Sequence, residues 1–112
     1  MTKEFDIIAS RAIEVLDGND QLTRKAVVHI GRPWQEPGGE WALPYQIVGL
    51  GDGKVRCVLG FDAIQALQGV HLVIGSILAS SDEGEQGRLR WDGDKDLGFP
   101  VPALRPEEPA RD

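Results

Sequence analysis

The chain has 112 residues, 41% of them hydrophobic and 27% charged, with 12 basic and 18 acidic side chains for a net charge of −6. This length supports one domain with one modest core, and the composition is that of an ordinary soluble globular protein, neither disordered throughout nor membrane-embedded. The acidic balance repels nucleic-acid backbone, and a single cysteine, Cys57, leaves no internal disulfide and no cysteine-rich zinc site.

The first residues, Met1 to Asp6, carry acids where an export signal needs a basic end and an apolar run, so the expected location is the cytoplasm, in keeping with one unpaired cysteine. Ile7 to Leu16 reads as a strand with Ile13 and Val15 on one face and Arg11 on the same side. Asp17-Gly18-Asn19-Asp20 is a turn cluster. Lys25 to Arg32 resumes extended character, with Val28 and Ile30 on one face and Val27 and His29 on the other, and the two strands should pair. Gly31 to Pro44 is broken by Pro33, Pro37, Gly38, Gly39 and Pro44 and reads as the one long loop.

From Trp41, the side chains Leu43, Tyr45 and Ile47 share a face. After Gly51-Asp52-Gly53, Val55, Cys57, Leu59 and Phe61 share another, and both faces are expected to meet one helix. Pro44 cannot donate to a ladder, which places it at an edge, at a bulge or outside the sheet. Asp62 followed three residues later by Gln65 matches a carboxamide capping box, so the helix should run from Asp62 to Ala79. Its buried stripe is predicted to hold Ile64, Leu67, Val70, His71, Ile74, Ile77 and Leu78. Interruption by Gln65, Gln68, Gly69 and His71 makes the stretch fall short of a membrane span. Gly69 and Gly75 weaken the helix and have no evident sequence reason.

Arg88 to Trp91 alternates as a short fifth strand would. The acidity concentrates toward the end: 7 basic and 9 acidic residues up to Ser81, then 5 and 9 from Asp82 to Asp112. The reading is therefore one α+β domain over 1–91 and an extended acidic tail over 92–112 with Pro100, Pro102, Pro106 and Pro109. The fold class is a four-stranded, mainly antiparallel sheet with one long helix packed on one face, in the order β-β-β-β-α, to which the short fifth strand can add.

No motif assigns an activity. Gly49 to Lys54 has the glycines and lysine of a phosphate loop, but Val55 follows where Ser or Thr and a helix are needed, so a hairpin turn is favoured. Asp92, Asp94 and Asp96 have the spacing that opens a calcium loop, yet Leu97 stands at the glycine position and Ala103 at the closing glutamate, which favours a solvated turn. His29 and His71 lack partners at ligand spacing, and Cys57 alternates like a small buried hydrophobe. No catalytic residue, cofactor or metal site is assigned.

The remaining candidates are binding residues. Arg32, Trp34, Glu36, Glu40, Trp41 and Tyr45 combine rigid aromatic area with charge in the long loop, the mixture that suits binding anchors. Set against this, Trp41 and Tyr45 can extend the core while Trp34 pins the loop over it. The sheet face away from the helix, with His29, Gln46 and Arg56, is a second candidate surface.

The segments Gly31-Arg32-Pro33, Trp41-Ala42-Leu43-Pro44-Tyr45, Gly49 to Val55 and Phe61 to Leu67 resemble a family of small bacterial proteins of unknown function. The resemblance covers about half the chain, with the tail outside it. It implies a bacterial setting and a compact α+β domain, and transfers no catalytic residue. The expected function is a non-enzymatic cytoplasmic module that binds another protein, of an immunity or regulatory type. The competing readings are a small-molecule binder or enzyme with a pocket between the helix and the 31–45 loop, using His71, Tyr45 or Glu40, and a homodimer joined through the sheet.

Overall fold

The computed structural model describes residues 5–100. Its elements are β1 (Ile7–Leu16), β2 (Leu22–Gly31), β3 (Trp34–Gln35), β4 (Trp41–Val48), β5 (Arg56–Gly60), α1 (Ala63–Ser80), α2 (Asp82–Glu85) and β6 (Leu89–Arg90). The fold is α+β, an antiparallel sheet with one long helix on one face. It has six strands where the sequence predicts four with a possible fifth. The spatial order is β3-β4-β2-β1-β6, with β5 on the other edge of β4.

β1 and β2 form the central hairpin, with Arg11 opposite Val28, Ile13 opposite Ala26 and Val15 opposite Arg24. Their turn is built by Asp17, whose carboxylate accepts the N–H groups of Asn19 at 2.7 Å and Gln21 at 3.0 Å. Residues directly opposite share a face. The face carrying Ile13, Val15, Val28 and Ile30 is therefore the one that α1 covers, and all four are buried.

The stretch read as one long loop is a hairpin. Trp34 pairs with Ala42 and Gln35 with Trp41, and the turn between them is closed by Glu36 N–H to the Glu40 carbonyl at 2.7 Å and Gly39 N–H to the Glu36 carbonyl at 2.9 Å. Pro37-Gly38-Gly39 makes the tight reversal, which leaves the flanking residues free to pair. β3 continues β2 along the same edge of β4. Pro44 falls opposite the break, since the pairs on that edge stop at Tyr45 with Ile30 and resume at Ala42 with Trp34. Its missing N–H therefore interrupts nothing there.

β5 corrects a facing assignment. Its register sets Val58 opposite Leu43 and Arg56 opposite Tyr45, while Cys57 faces Pro44 and Leu59 faces Ala42. Leu43 and Tyr45 are core residues, so Val58 and Arg56 take the helix side, and Cys57 and Leu59 the bare side. Parity alone could not reveal this, because the 49–55 connection sets the register and both parities of β5 are apolar. Cys57 is exposed accordingly.

α1 starts where predicted. The Asp62 carboxylate accepts Gln65 N–H at 2.8 Å, and the Gln65 carboxamide oxygen accepts Phe61 N–H at 2.7 Å. Gly60 permits the sharp entry, since a Cβ there would lie 2.6 Å from Ala66 N. The buried stripe is rotated from the predicted one toward Ala66, Val70, Ile74, Gly75 and Leu78. Ile64 and Ile77 lie outside it. Both glycines now have reasons: a Cβ on Gly69 would touch Val58 Cγ1 at 3.1 Å, and one on Gly75 would lie 2.0 Å from the Pro100 carbonyl oxygen. By length and composition α1 is apolar enough to cross a bilayer, contrary to the sequence expectation, although in this structure it packs as the core helix.

β6 completes the sheet, Leu89 opposite Val15 and Arg90 opposite Glu14. Residues 92–100, assigned to the tail from sequence, bring Leu97 and Phe99 against the core. Arg11 holds this segment: its guanidinium lies 3.7 Å from the Trp91 ring centre and 5.0 Å from that of Phe99, and donates to the Leu97 carbonyl at 3.1 Å. The rest of the predicted tail, with Pro102, Pro106 and Pro109, lies outside the described residues.

Candidate functional site

The residues singled out in the 31–45 segment are structural neighbours but do not converge. Arg32 forms an exposed ion pair with Asp6 at 2.7 Å. The Trp34 indole donates to the Glu36 carboxylate, and Trp34 sits opposite Ala42 on the bare side of the sheet. Trp41 is half-buried, and Tyr45 belongs to the core. Arg56, expected on the bare face, is on the helix side and gripped by both Asp52 carboxylate oxygens at 2.9 and 2.7 Å. This pair, with Lys54 N–H also donating to Asp52 at 3.0 Å, holds the Asp52 carboxyl well below the usual carboxylate range and raises Arg56. Its chemistry is that of a pinned loop.

Catalytic groups are equally dispersed. Ser10 Oγ lies 2.7 Å from His29 Nδ1 on the bare face, where His29 is flanked across the strands by Ser10 and Gln46. Among the described residues no carboxylate bonds the other imidazole nitrogen, so the pair lacks the orienting third member of a triad. Partial desolvation of the otherwise exposed Cys57, and then the charge of Glu36, push its thiol up, which keeps it protonated near neutrality. His71, Tyr45 and Glu40 line three separate hollows. Asp94 and Asp96 spend carboxylate oxygens on the N–H groups of Asp96 and Gly98, both at 2.9 Å. Among the described residues no three His, Cys, Asp or Glu side chains gather as a metal-binding group.

What does converge is apolar and was missed. Leu59 on β5 and Phe61 share an exposed corner and Ile64 follows in the first turn of α1; they are 58%, 86% and 67% accessible respectively. A shallow hollow there is lined by Glu40, Leu59, Phe61 and Gln65. The corner continues along the outer side of α1, whose exposed residues include Gln68, Leu72 and Ser76. Between Ala63 and Ser80 there is no Asp, Glu, Lys or Arg. A surface helix ordinarily carries charge on its solvent side, and that lack was the signal in the sequence. Beside this corner the outer edge of β5 is unpaired among the described residues, and only Arg56, at its beginning, is charged.

The architecture defines a small two-layer α+β domain, one antiparallel sheet under one helix. The chain belongs to the family described as domain of unknown function DUF6968, whose family model matches residues 9–101. That match takes in the packed segment 92–100, which the sequence resemblance had left outside. No curated protein and no solved structure matches the chain.

Proposed function

We propose that this domain is a non-enzymatic protein-binding module that docks a partner on the corner formed by β5 and the start of α1. The observation that carries this reading is the exposed apolar area of Leu59, Phe61 and Ile64, free of cations and rimmed by Glu40 and Asp62, beside a bare strand edge. Large exposed apolar side chains gathered in one place mark interaction sites, and an unprotected edge offers backbone groups to an incoming strand. A protein partner fits better than a lipid surface. The corner carries no cation of its own, and a chain of net charge −6 is repelled by anionic headgroups.

The test pairs capture with stability. Phe61→Asp and Ile64→Asp should each abolish retention of an identified partner while leaving the thermal midpoint unchanged, since neither side chain is in the core. Arg32→Ala and Trp34→Ala, aimed at the loop, should leave that retention intact. A partner that survives both corner substitutions but is lost with the loop variants would move the docking surface to the 31–45 hairpin.

A further inference from the structure

We propose that the cavity at the other end of α1 is a binding site for a small carboxylic acid with an apolar body. The cavity measures about 300 Å³, at the lower end of the range that small-molecule sites occupy. It lies between Leu78 of α1, the α2 turn, Leu89 of β6 and the returning segment with Leu97 and Phe99. Its walls are chiefly aliphatic and aromatic, so the body of the ligand must be apolar.

The charged groups that line it specify the other end of the ligand. Arg90 and Lys95 both contribute, against one acid, Asp96. Neither cation has an ion-pair partner among the described residues. Arg90 donates from one terminal nitrogen to the Gly87 and Leu89 carbonyls, both at 2.8 Å, which leaves its other nitrogens free to donate. One Asp96 oxygen already accepts Gly98 N–H. Arg90 and Lys95 thus outnumber the one acid in the lining, and a pair of cations favours an anion over a metal ion or a neutral solute. The site is separate from the Phe61 corner, and the proposal does not depend on the docking reading.

The experiment is a titration of the isotope-labelled full chain with octanoate, octanol and acetate, followed by amide chemical shifts. Octanoate should give saturable shifts at Ala79, Leu89, Leu97 and Phe99 at concentrations about tenfold below octanol, and acetate should give none. Lys95→Glu, an exposed change that preserves folding, should weaken octanoate about fivefold and leave octanol unaffected. Ala79→Trp, which fills the cavity from the helix, should remove both responses. The proposal is overturned if acetate and octanoate move the same amides equally, if Lys95→Glu leaves octanoate binding unchanged, or if the octanoate shifts fall at Phe61 and Ile64 instead.

Discussion

Arg11 shows how one side chain fixes the extent of the domain. Strand alternation places it on the apolar side of β1, an awkward position for a charge, and the structure resolves the conflict by laying it over Trp91 and against Phe99. A guanidinium over an aromatic face is worth about 0.5–2 kcal/mol depending on desolvation. Arg11→Ala should cost about 1–2 kcal/mol in denaturant unfolding and raise amide exchange over residues 95–100, whereas Arg11→Lys, less suited to stacking, should recover only part of the loss. Asp17 and Asp52 govern the acid limb. Backbone N–H donation from Gln21 and Asn19 lowers Asp17, and the Arg56 guanidinium, then Lys54 N–H, lower Asp52. Both contribute stability above the unfolded carboxyl value of about 4, and that contribution is lost as pH falls toward their depressed folded values. The denaturation midpoint should therefore drop between about pH 5 and pH 2.5, and Asp52→Asn should flatten that drop. Cys57, though exposed, should react with a thiol reagent at pH 8 more slowly than free cysteine, because its thiol is held protonated.

At the level of elements, the legible features were those set by local chemistry. Asp62 and Gln65 announced the helix start, Asp17 the first turn, and the alternation at Ile13, Val15, Val28 and Ile30 the buried face of the central hairpin. What stayed hidden was decided between segments. β5 has apolar residues at both parities, so only its pairing with β4 shows that Val58 points in and Leu59 out. β3 is two residues long and depends on β4 for its hydrogen bonds. The helix stripe turned because Ala66 sits against the close passage at Gly60, and Gly75 against residues 99–100. The candidate site was the least legible part. Aromatic loop residues drew attention, whereas the exposed corner is visible in sequence only as missing charge. The two helical glycines give a clean comparison. Gly69→Ala gains about 1 kcal/mol of helix propensity against a tight but movable Val58 side chain, so it should be close to neutral. Gly75→Ala puts a methyl into a backbone carbonyl and should destabilise the fold in thermal melts, with Leu97 and Phe99 losing protection first.

For the whole molecule, two opposing properties meet at one surface. A net charge of −6 keeps copies of the chain apart, while Leu59, Phe61 and Ile64 leave large apolar side chains exposed. With no partner present, the available cover is a second copy, and the balance between attraction and repulsion is set by ionic strength. At about 0.01 M salt the charge acts over a Debye length near 30 Å, comparable to the size of a small domain, and association is suppressed; at about 0.5 M screening confines the charge to a few ångströms and leaves the apolar contact in control. Sedimentation of the isolated domain should therefore show its weight-average mass rising with salt at fixed protein concentration. Phe61→Asp should abolish that rise, because it places a charge in the contact itself as well as removing its largest exposed ring. A mass that falls with salt, or a Phe61→Asp protein that associates as readily as the parent, would show that surface charge and not the corner governs how these molecules meet.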